Sequence, residues 1–337
     1  MTKLAKNQYV NLLKGIACII VIFLHCPFPG MLGEGIIYGL RFSVPVFFMI
    51  SGYYSCAKSD GWVFEKGKYI FKLLVFSELF YGVWTFIKQC ILKGNSIEQV
   101  ARSIFADKNI IEVIFCGTIF NGTLWYLYAM FWTWMILLAL RKAKILDKCY
   151  IIMLLLLGIQ IFGRFYVQNH FDINKWVFLF RNVLTFGLPF SLLGIWMSKQ
   201  EEVLKEKIDL RKNICFIALG FVLIVVEFLV SGQYMDTHVS TIVISFGLFL
   251  YAIRMTKPVN KCYGVLVRIG GKWYTWIYLS HIFWVDLIDI LYDRLGLTSH
   301  TVFGFMRPIL VCILACICAE GMVRMIEKKN TRRNIAC

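Results

Sequence analysis

Charged residues are scarce in this chain. They make up 17% of its 337 residues, where an ordinary soluble domain carries about a quarter. Acid is scarcer still, with 20 Asp and Glu against 36 Lys and Arg, for a formal charge of +16. No CxxC pair and no Cys/His ligand spacing occurs among the 12 cysteines. They are scattered, mostly inside apolar runs (Cys312, Cys316, Cys318). They read as small buried helix residues, and neither disulfides nor a metal site is expected. Neither a GxSxG elbow nor a Gly-rich phosphate loop is present, so a soluble-type hydrolase or a nucleotide site has no support.

What the chain has in excess is apolar residues, at 59%. A soluble protein of this length cannot hide that much apolar surface, so the sequence predicts a multi-pass integral membrane protein. The +16 charge does not point to nucleic acid, because the cations sit in short loops between apolar runs, where membrane topology places them. About ten spans of ~20 apolar residues follow one another, at 8–26, 38–56, 69–92, 122–140, 149–167, 176–198, 213–231, 238–255, 273–293 and 305–326. The expected fold is all-α: one polytopic bundle of about ten transmembrane helices over 1–330, then a basic cytoplasmic tail at 331–337. With Pro45 inside it and Ser51-Gly52 near its end, the second span is expected to kink or break there.

Alternate loops and the two tails hold about 24 cations, against about 7 on the other side, which predicts that both termini are cytoplasmic. No cleavable signal peptide is expected, since the first span lacks a small-residue cleavage site and is followed by further spans. No soluble domain is expected after the last span. The long outer segment, about 93–121, carries both signs of charge, and its stretch NIIEVIFCGTIF is apolar enough to lie on the membrane or re-enter it. Asn121-Gly-Thr matches a glycosylation sequon, a tripeptide common by chance.

Polar residues inside a bilayer are costly and need a reason to be there. Here they are Lys14, His25, Arg41, Lys72, Glu78, Lys88, Arg181, Glu227, His281, Asp286 and Asp289. Lys14 and His25 lie eleven residues apart in the first span, NLLKGIACIIVIFLHCPFPG. At ~100° and ~1.5 Å per residue they share one helix face and stand about 16 Å apart, roughly half a bilayer. His25 ends span one and Arg41 begins span two, joined by a short cation-free loop, so the two helices are antiparallel neighbours. An imidazole at the head of a watery cavity suits general-base work near neutral pH. Buried cations along the same cavity suit an anionic ligand entering the membrane. A channel would more plausibly show a ring of like charges, and a transporter inverted repeats, of which none is evident.

Four stretches in order carry a resemblance to the acyltransferase-3 family of integral membrane acyltransferases: LLKGIACIIVIFLH, FSVPVFFMISGYY, GTLWYLYAMF and IYLSHIF. Their counterparts are the family's opening Arg and His eleven apart, its aromatic second span ending in Ser-Gly, its Leu-Trp-aromatic-Leu span and its late Tyr-Leu-x-His span. RNVLTFGLPFSLLGIWM further resembles the membrane half of membrane-bound serine racemases. The resemblance implies a ten-helix bundle with a central passage in the plasma membrane. Its implied reaction takes an acyl group, usually acetyl, from cytoplasmic acyl-CoA to a hydroxyl of a cell-surface glycan, wall component or lipid. Carried over residue by residue, it places Lys14 at the family's Arg, with the charge kept and the bidentate fork lost, and His25 at its His. Lys68 and Lys72 stand where many relatives place arginines.

On this reading His25 is the catalytic base, with Arg41 orienting the acceptor or stabilising developing negative charge. Lys14, Lys68 and Lys72 bind acyl-CoA. Trp125, Tyr128, Arg181 and His281 are candidate substrate contacts. Each has a plainer alternative. Lys14 and Arg41 also fit snorkelling side chains, and His25 an interfacial anchor. Trp125 and Tyr128 also fit an aromatic belt. Arg181, following Trp176, also fits a structural pair with Glu78 or Glu227, and His281 an interhelical bond. A second functional reading is a non-catalytic membrane transporter or sensor of a small solute such as an amino acid.

Overall fold

The computed structural model describes residues 3–105, 110–117, 119–171, 177–231, 238–298 and 300–335. All regular structure among them is helical. In chain order the α-helices are α1 (Lys3–His25), α2 (Gly30–Gly39), α3 (Ser43–Ser55), α4 (Asp60–Phe86), α5 (Ile97–Phe105), α6 (Ile110–Cys116), α7 (Trp125–Lys142) and α8 (Tyr150–Gly158). There follow α9 (Arg164–His170), α10 (Leu188–Lys199), α11 (Glu201–Lys207), α12 (Leu210–Ser231), α13 (Val239–Arg254), α14 (Gly264–Arg268), α15 (Tyr274–Arg294) and α16 (Thr301–Ile335). Wider π-helical turns at Ile87–Leu92, Ile159–Gly163, Val183–Gly187 and Ile269–Trp273 extend or join several of them.

Seven helices among the described residues are long and apolar enough to cross a membrane: Gln8–His25, Gly30–Ser55, Asp60–Leu92, Gly122–Lys142, Tyr150–Val167, Leu210–Val230 and Thr301–Thr331. Val183–Lys199 and Val239–Arg254 are apolar but shorter. Tyr274–Arg294 has the length but carries Asp286, Asp289 and Asp293. Each of the ten predicted intervals therefore meets a helix, and seven of these helices satisfy length and apolarity together.

Two predicted details move. The second span breaks ahead of Pro45, at residues 40–42, and runs unbroken through Ser51-Gly52. Pro45 then falls in the first turn of α3, where its missing N–H removes no intrahelical bond. Gly52 stays helical because a neighbouring backbone needs its bare face, as described below. The sixth span opens with a 3₁₀ turn at Val177–Leu179, breaks at 180–182 and runs on as a longer helix from Val183, where Asn182 Oδ1 caps it, accepting from the N–H groups of Leu184 (2.8 Å) and Thr185 (3.2 Å). Arg181 lies in the bend just before this cap, and Trp176 lies outside the described residues.

The chain packs as two compact units, residues 1–47 with 205–337, and residues 48–204. In the first unit α1 packs on α2, α13, α14, the Ile269–Trp273 turn, α15 and α16. Its core joins Cys18 and Ile22 of α1, and Cys26 just beyond it, to Ile277, Val285 and Ile288 of α15 and Val311, Ala315 and Ala319 of α16. The last three repeat every fourth residue, a stripe of modest side chains that permits close helix contact. A Cβ on Gly15 would stand 2.0 Å from the Leu266 carbonyl oxygen, and one on Gly270 1.8 Å from that of Asn11. The α1 crossing is thus a backbone-to-backbone contact around Lys14.

In the second unit α3 crosses α10 in the same manner. A Cβ on Gly52 would meet the Ser191 carbonyl oxygen at 2.0 Å, and one on Gly194 that of Met49 at 2.0 Å. The buried Ser191 hydroxyl donates to the Phe48 carbonyl (3.2 Å). Arg141, at the end of α7, ties that helix to the turn between α3 and α4. Its Nε donates to Asp60 Oδ1 (2.8 Å) and its Nη1 to the Ser55 carbonyl (3.1 Å). In the outer segment, α6 lies against α7, held by the Trp132 indole N–H donating to the Ile114 carbonyl (3.1 Å).

Candidate active site

In the first unit, the close crossing at Gly15 and Gly270 sets Lys14 against the start of α15. The Lys14 ammonium lies 3.8 Å from the centroid of the Tyr274 ring. Tyr274 in turn stacks on Phe47, centroids 6.3 Å apart. The cation is therefore engaged at an aromatic face within the unit.

His25 is the last residue of α1 and is exposed. Its ring lies 5.4 Å, centroid to centroid, from that of His281, tilted by 43°. His281 is fully buried on α15, and its Nδ1 is 2.7 Å from the Tyr278 carbonyl oxygen. The Nδ1 contact falls within its own helix, three residues back. His281 Nε2 has no hydrogen-bond partner among the described residues, and the same holds for Ser280 Oγ and Trp284 Nε1 in that stretch of α15. Arg41 is half-buried, and its Nε donates to the Ile37 carbonyl (2.9 Å) at the end of α2, a C-terminal carbonyl that its own helix leaves open.

Arg307 escaped the sequence reading, which counted it among loop cations. Its Nε and Nη2 grip the two carboxylate oxygens of Asp289 at 2.5 and 2.6 Å, a bidentate fork that lysine cannot form. Further along α16, charge ties it to the residues ahead of α15: Arg268 Nη2, at the end of α14, bonds both oxygens of Glu320 (2.7 and 2.9 Å), and Lys272, in the Ile269–Trp273 turn, bonds Glu327 (2.7 Å). Glu227 accepts from the Ser240 N–H (3.1 Å) and lies 3.5 Å from His238.

The second unit holds the remaining candidates. Lys68 and Lys72 are exposed on α4; Lys68 is paired with Glu65 at 2.6 Å and lies over the Phe64 ring. Tyr128 is half-buried, and its hydroxyl donates to Glu78 Oε1 (3.0 Å). Its ring fits against Gly117, whose φ of +56° favours glycine and where a Cβ would stand 1.8 Å from the ring. Trp125 is 8% exposed and meets Phe186 edge-on at 5.4 Å. Arg181 is half-buried. Two buried polar residues went unnoticed in the sequence, Gln160 (0% exposed) and Arg164 (4%). The Gln160 amide donates to the Phe180 carbonyl (3.1 Å), and the Arg164 guanidinium lies 5.7 Å from the Phe180 ring. Their signal was present: an amide and a guanidinium four residues apart within an apolar span.

Chemically, the first unit offers an exposed imidazole paired with a buried one at one end of α1. An ammonium fixed on an aromatic ring lies three turns away. This combination suits proton transfer at one point and attraction of an anion at the other. Comparison with curated proteins and with solved structures finds no match. The model of the acyltransferase-3 family, described as an acyltransferase domain, matches residues 7–319. That match covers nearly the whole chain, including Lys14, His25 and His281, and the protein belongs to this family of membrane acyl-transferring enzymes.

Proposed function

We propose that this protein is a plasma-membrane O-acyltransferase that moves an acyl group, of which acetyl is the expected kind, from cytoplasmic acyl-CoA to a hydroxyl of a cell-surface glycan, wall component or lipid. The observation that carries the reading is the arrangement along α1: His25 stands ring to ring with His281 at one end, and Lys14 lies on Tyr274 eleven residues before it. The rise of a helix separates the two by about 16 Å, a distance suited to an extended donor with its anionic groups near one bilayer face and its thioester near the middle or beyond.

His25 takes the proton of the acceptor hydroxyl as that oxygen forms a bond to the thioester carbonyl carbon. The carbon–sulfur bond then breaks, and the proton passes from His25 to the departing thiolate. Ester and free thiol are the products, with no oxidant or reductant required. Arg41 supplies positive charge and orientation in the first unit. The family resemblance assigns coenzyme contacts to Lys14, Lys68 and Lys72. A lysine in place of the family's arginine lacks a planar fork, and the Tyr274 face gives its ammonium a fixed direction instead. The neutral polar atoms of Ser280 and Trp284, buried without protein partners, suit a hydroxyl-bearing acceptor better than a charged one.

Membranes containing the protein, incubated with labelled acetyl-CoA, are expected to yield acetylated wall or lipid product. His25→Ala is expected to lower it by about 10²–10⁴-fold at unchanged membrane abundance. Full activity of that variant removes His25 as the base. Absence of any acylated product from the unaltered protein, with saturable uptake of a small solute, would establish the transporter reading in its place.

A further inference from the structure

The buried face of His281 has no place in the reaction as just described, and its chemistry is specific. A carbonyl oxygen only accepts, so the 2.7 Å contact between Nδ1 and the Tyr278 carbonyl requires the proton on Nδ1. Neutral His281 therefore presents Nε2 as a lone-pair acceptor. That atom is buried and has no partner among the described residues, a state that is costly when nothing compensates it. Orphaned polar atoms of this kind need a physical explanation. The His25 ring, which carries an N–H, stands 5.4 Å away between centroids. His25 terminates α1 and is exposed.

We infer that His281 is a positioning residue for His25: its Nε2 accepts the ring N–H of His25, fixing the tautomer that turns the other nitrogen, lone pair outward, to the acceptor hydroxyl. This deepens the acyltransferase reading and rests on it. The logic is that of a base oriented by a third group, with a neutral imidazole where hydrolases place a carboxylate. When His25 takes up the hydroxyl proton it becomes an imidazolium with two N–H groups. One stays on His281 and the other returns its proton to the thiolate, so His281 itself gains and loses nothing. Fixing Nδ1–H on the Tyr278 carbonyl is what makes this possible, because the alternative tautomer would set an N–H against the N–H of His25.

The test compares His281→Leu, which removes the acceptor, with His281→Gln, whose amide oxygen keeps one. Labelled acetyl transfer in membranes is read as rate per quantity of inserted protein, with the KM for acetyl-CoA. The inference expects His281→Leu to lower kcat on the order of 10²-fold with KM unchanged. His281→Gln should recover most of that loss, and His281→Leu should have no further effect on the residual rate of His25→Ala. Equal loss in Leu and Gln variants at normal abundance would overturn it, as would a raised KM with kcat kept. The two readings fail separately. An inactive His25→Ala with an unimpaired His281→Leu removes this inference and leaves the acyltransferase standing, whereas an active His25→Ala removes the base on which both depend.

Discussion

The two units use one packing device for different ends. In each, two helices cross so closely that glycines meet carbonyl oxygens: Gly15 and Gly270 with Leu266 and Asn11 in the first, Gly52 and Gly194 with Ser191 and Met49 in the second. At the second crossing the residues around the contact are apolar or hydroxylic, and Ser191 closes it with one bond to the Phe48 carbonyl. The first crossing has Lys14 beside it and His25 at the far end of the same helix. Close approach alone is thus a matter of assembly. It becomes part of a site where the sequence places ionisable groups on the approaching face.

The largest effect separating the crossings is chemical. His25→Ala should lower acyl transfer by about 10²–10⁴-fold, the range of general acid–base contributions, while no equivalent side chain exists at the second crossing to remove. Next come the glycines. Gly270→Val and Gly194→Val each set a branched side chain into a backbone oxygen about 2 Å away, and overpacking of that kind costs about 1–3 kcal/mol or more. Both should lower the melting temperature in detergent. Material that survives should transfer acetyl poorly in Gly270→Val, where Lys14 is displaced, and near normally in Gly194→Val. Equal activity losses would end the distinction between the crossings.

A smaller effect is expected at Tyr128, where Tyr128→Phe removes the donor to Glu78. A hydrogen bond to a charged group contributes about 1.5–3 kcal/mol, so unfolding in mixed micelles should register a loss toward that size. Tyr274→Leu removes the aromatic face under Lys14. A cation–π contact is worth about 0.5–2 kcal/mol, which corresponds to a rise of about 2- to 30-fold in the acetyl-CoA KM, with Tyr274→Phe close to the unaltered protein. Smallest is Lys272→Ala, which breaks an exposed pair with Glu327 and should shift stability by less than about 1 kcal/mol. A larger loss there would mean that this pair is shielded from water.

Much of the helical fold was legible because a bilayer demands long apolar runs, and each run marked a helix. What was not legible are the ends and breaks. Asn182 caps the helix at Val183 and leaves Arg181 outside it, a local hydrogen-bond choice that hydropathy does not register. Pro45 was read as a break, yet it serves as a first-turn residue, because the helix is interrupted at 40–42 instead. Of the candidate site, Lys14 and His25 stood out as ionisable groups on one helical face. The partners did not. Tyr274 lies 260 residues from Lys14 and His281 lies 256 from His25, and only tertiary packing brings them together. Arg307 was passed over because a cation near a span end looks like a topology signal until its carboxylate partner is seen.

Two ties hold α16 in register with the segment that carries His281. Arg307 of α16 grips Asp289 of α15, and Arg268, at the end of α14, grips Glu320 of α16. A ratchet of α16 by one helical turn, about 5.4 Å, would break both sets of bonds at once. The ties therefore favour one register of the neighbouring helices, and with it one height of His281 against α16.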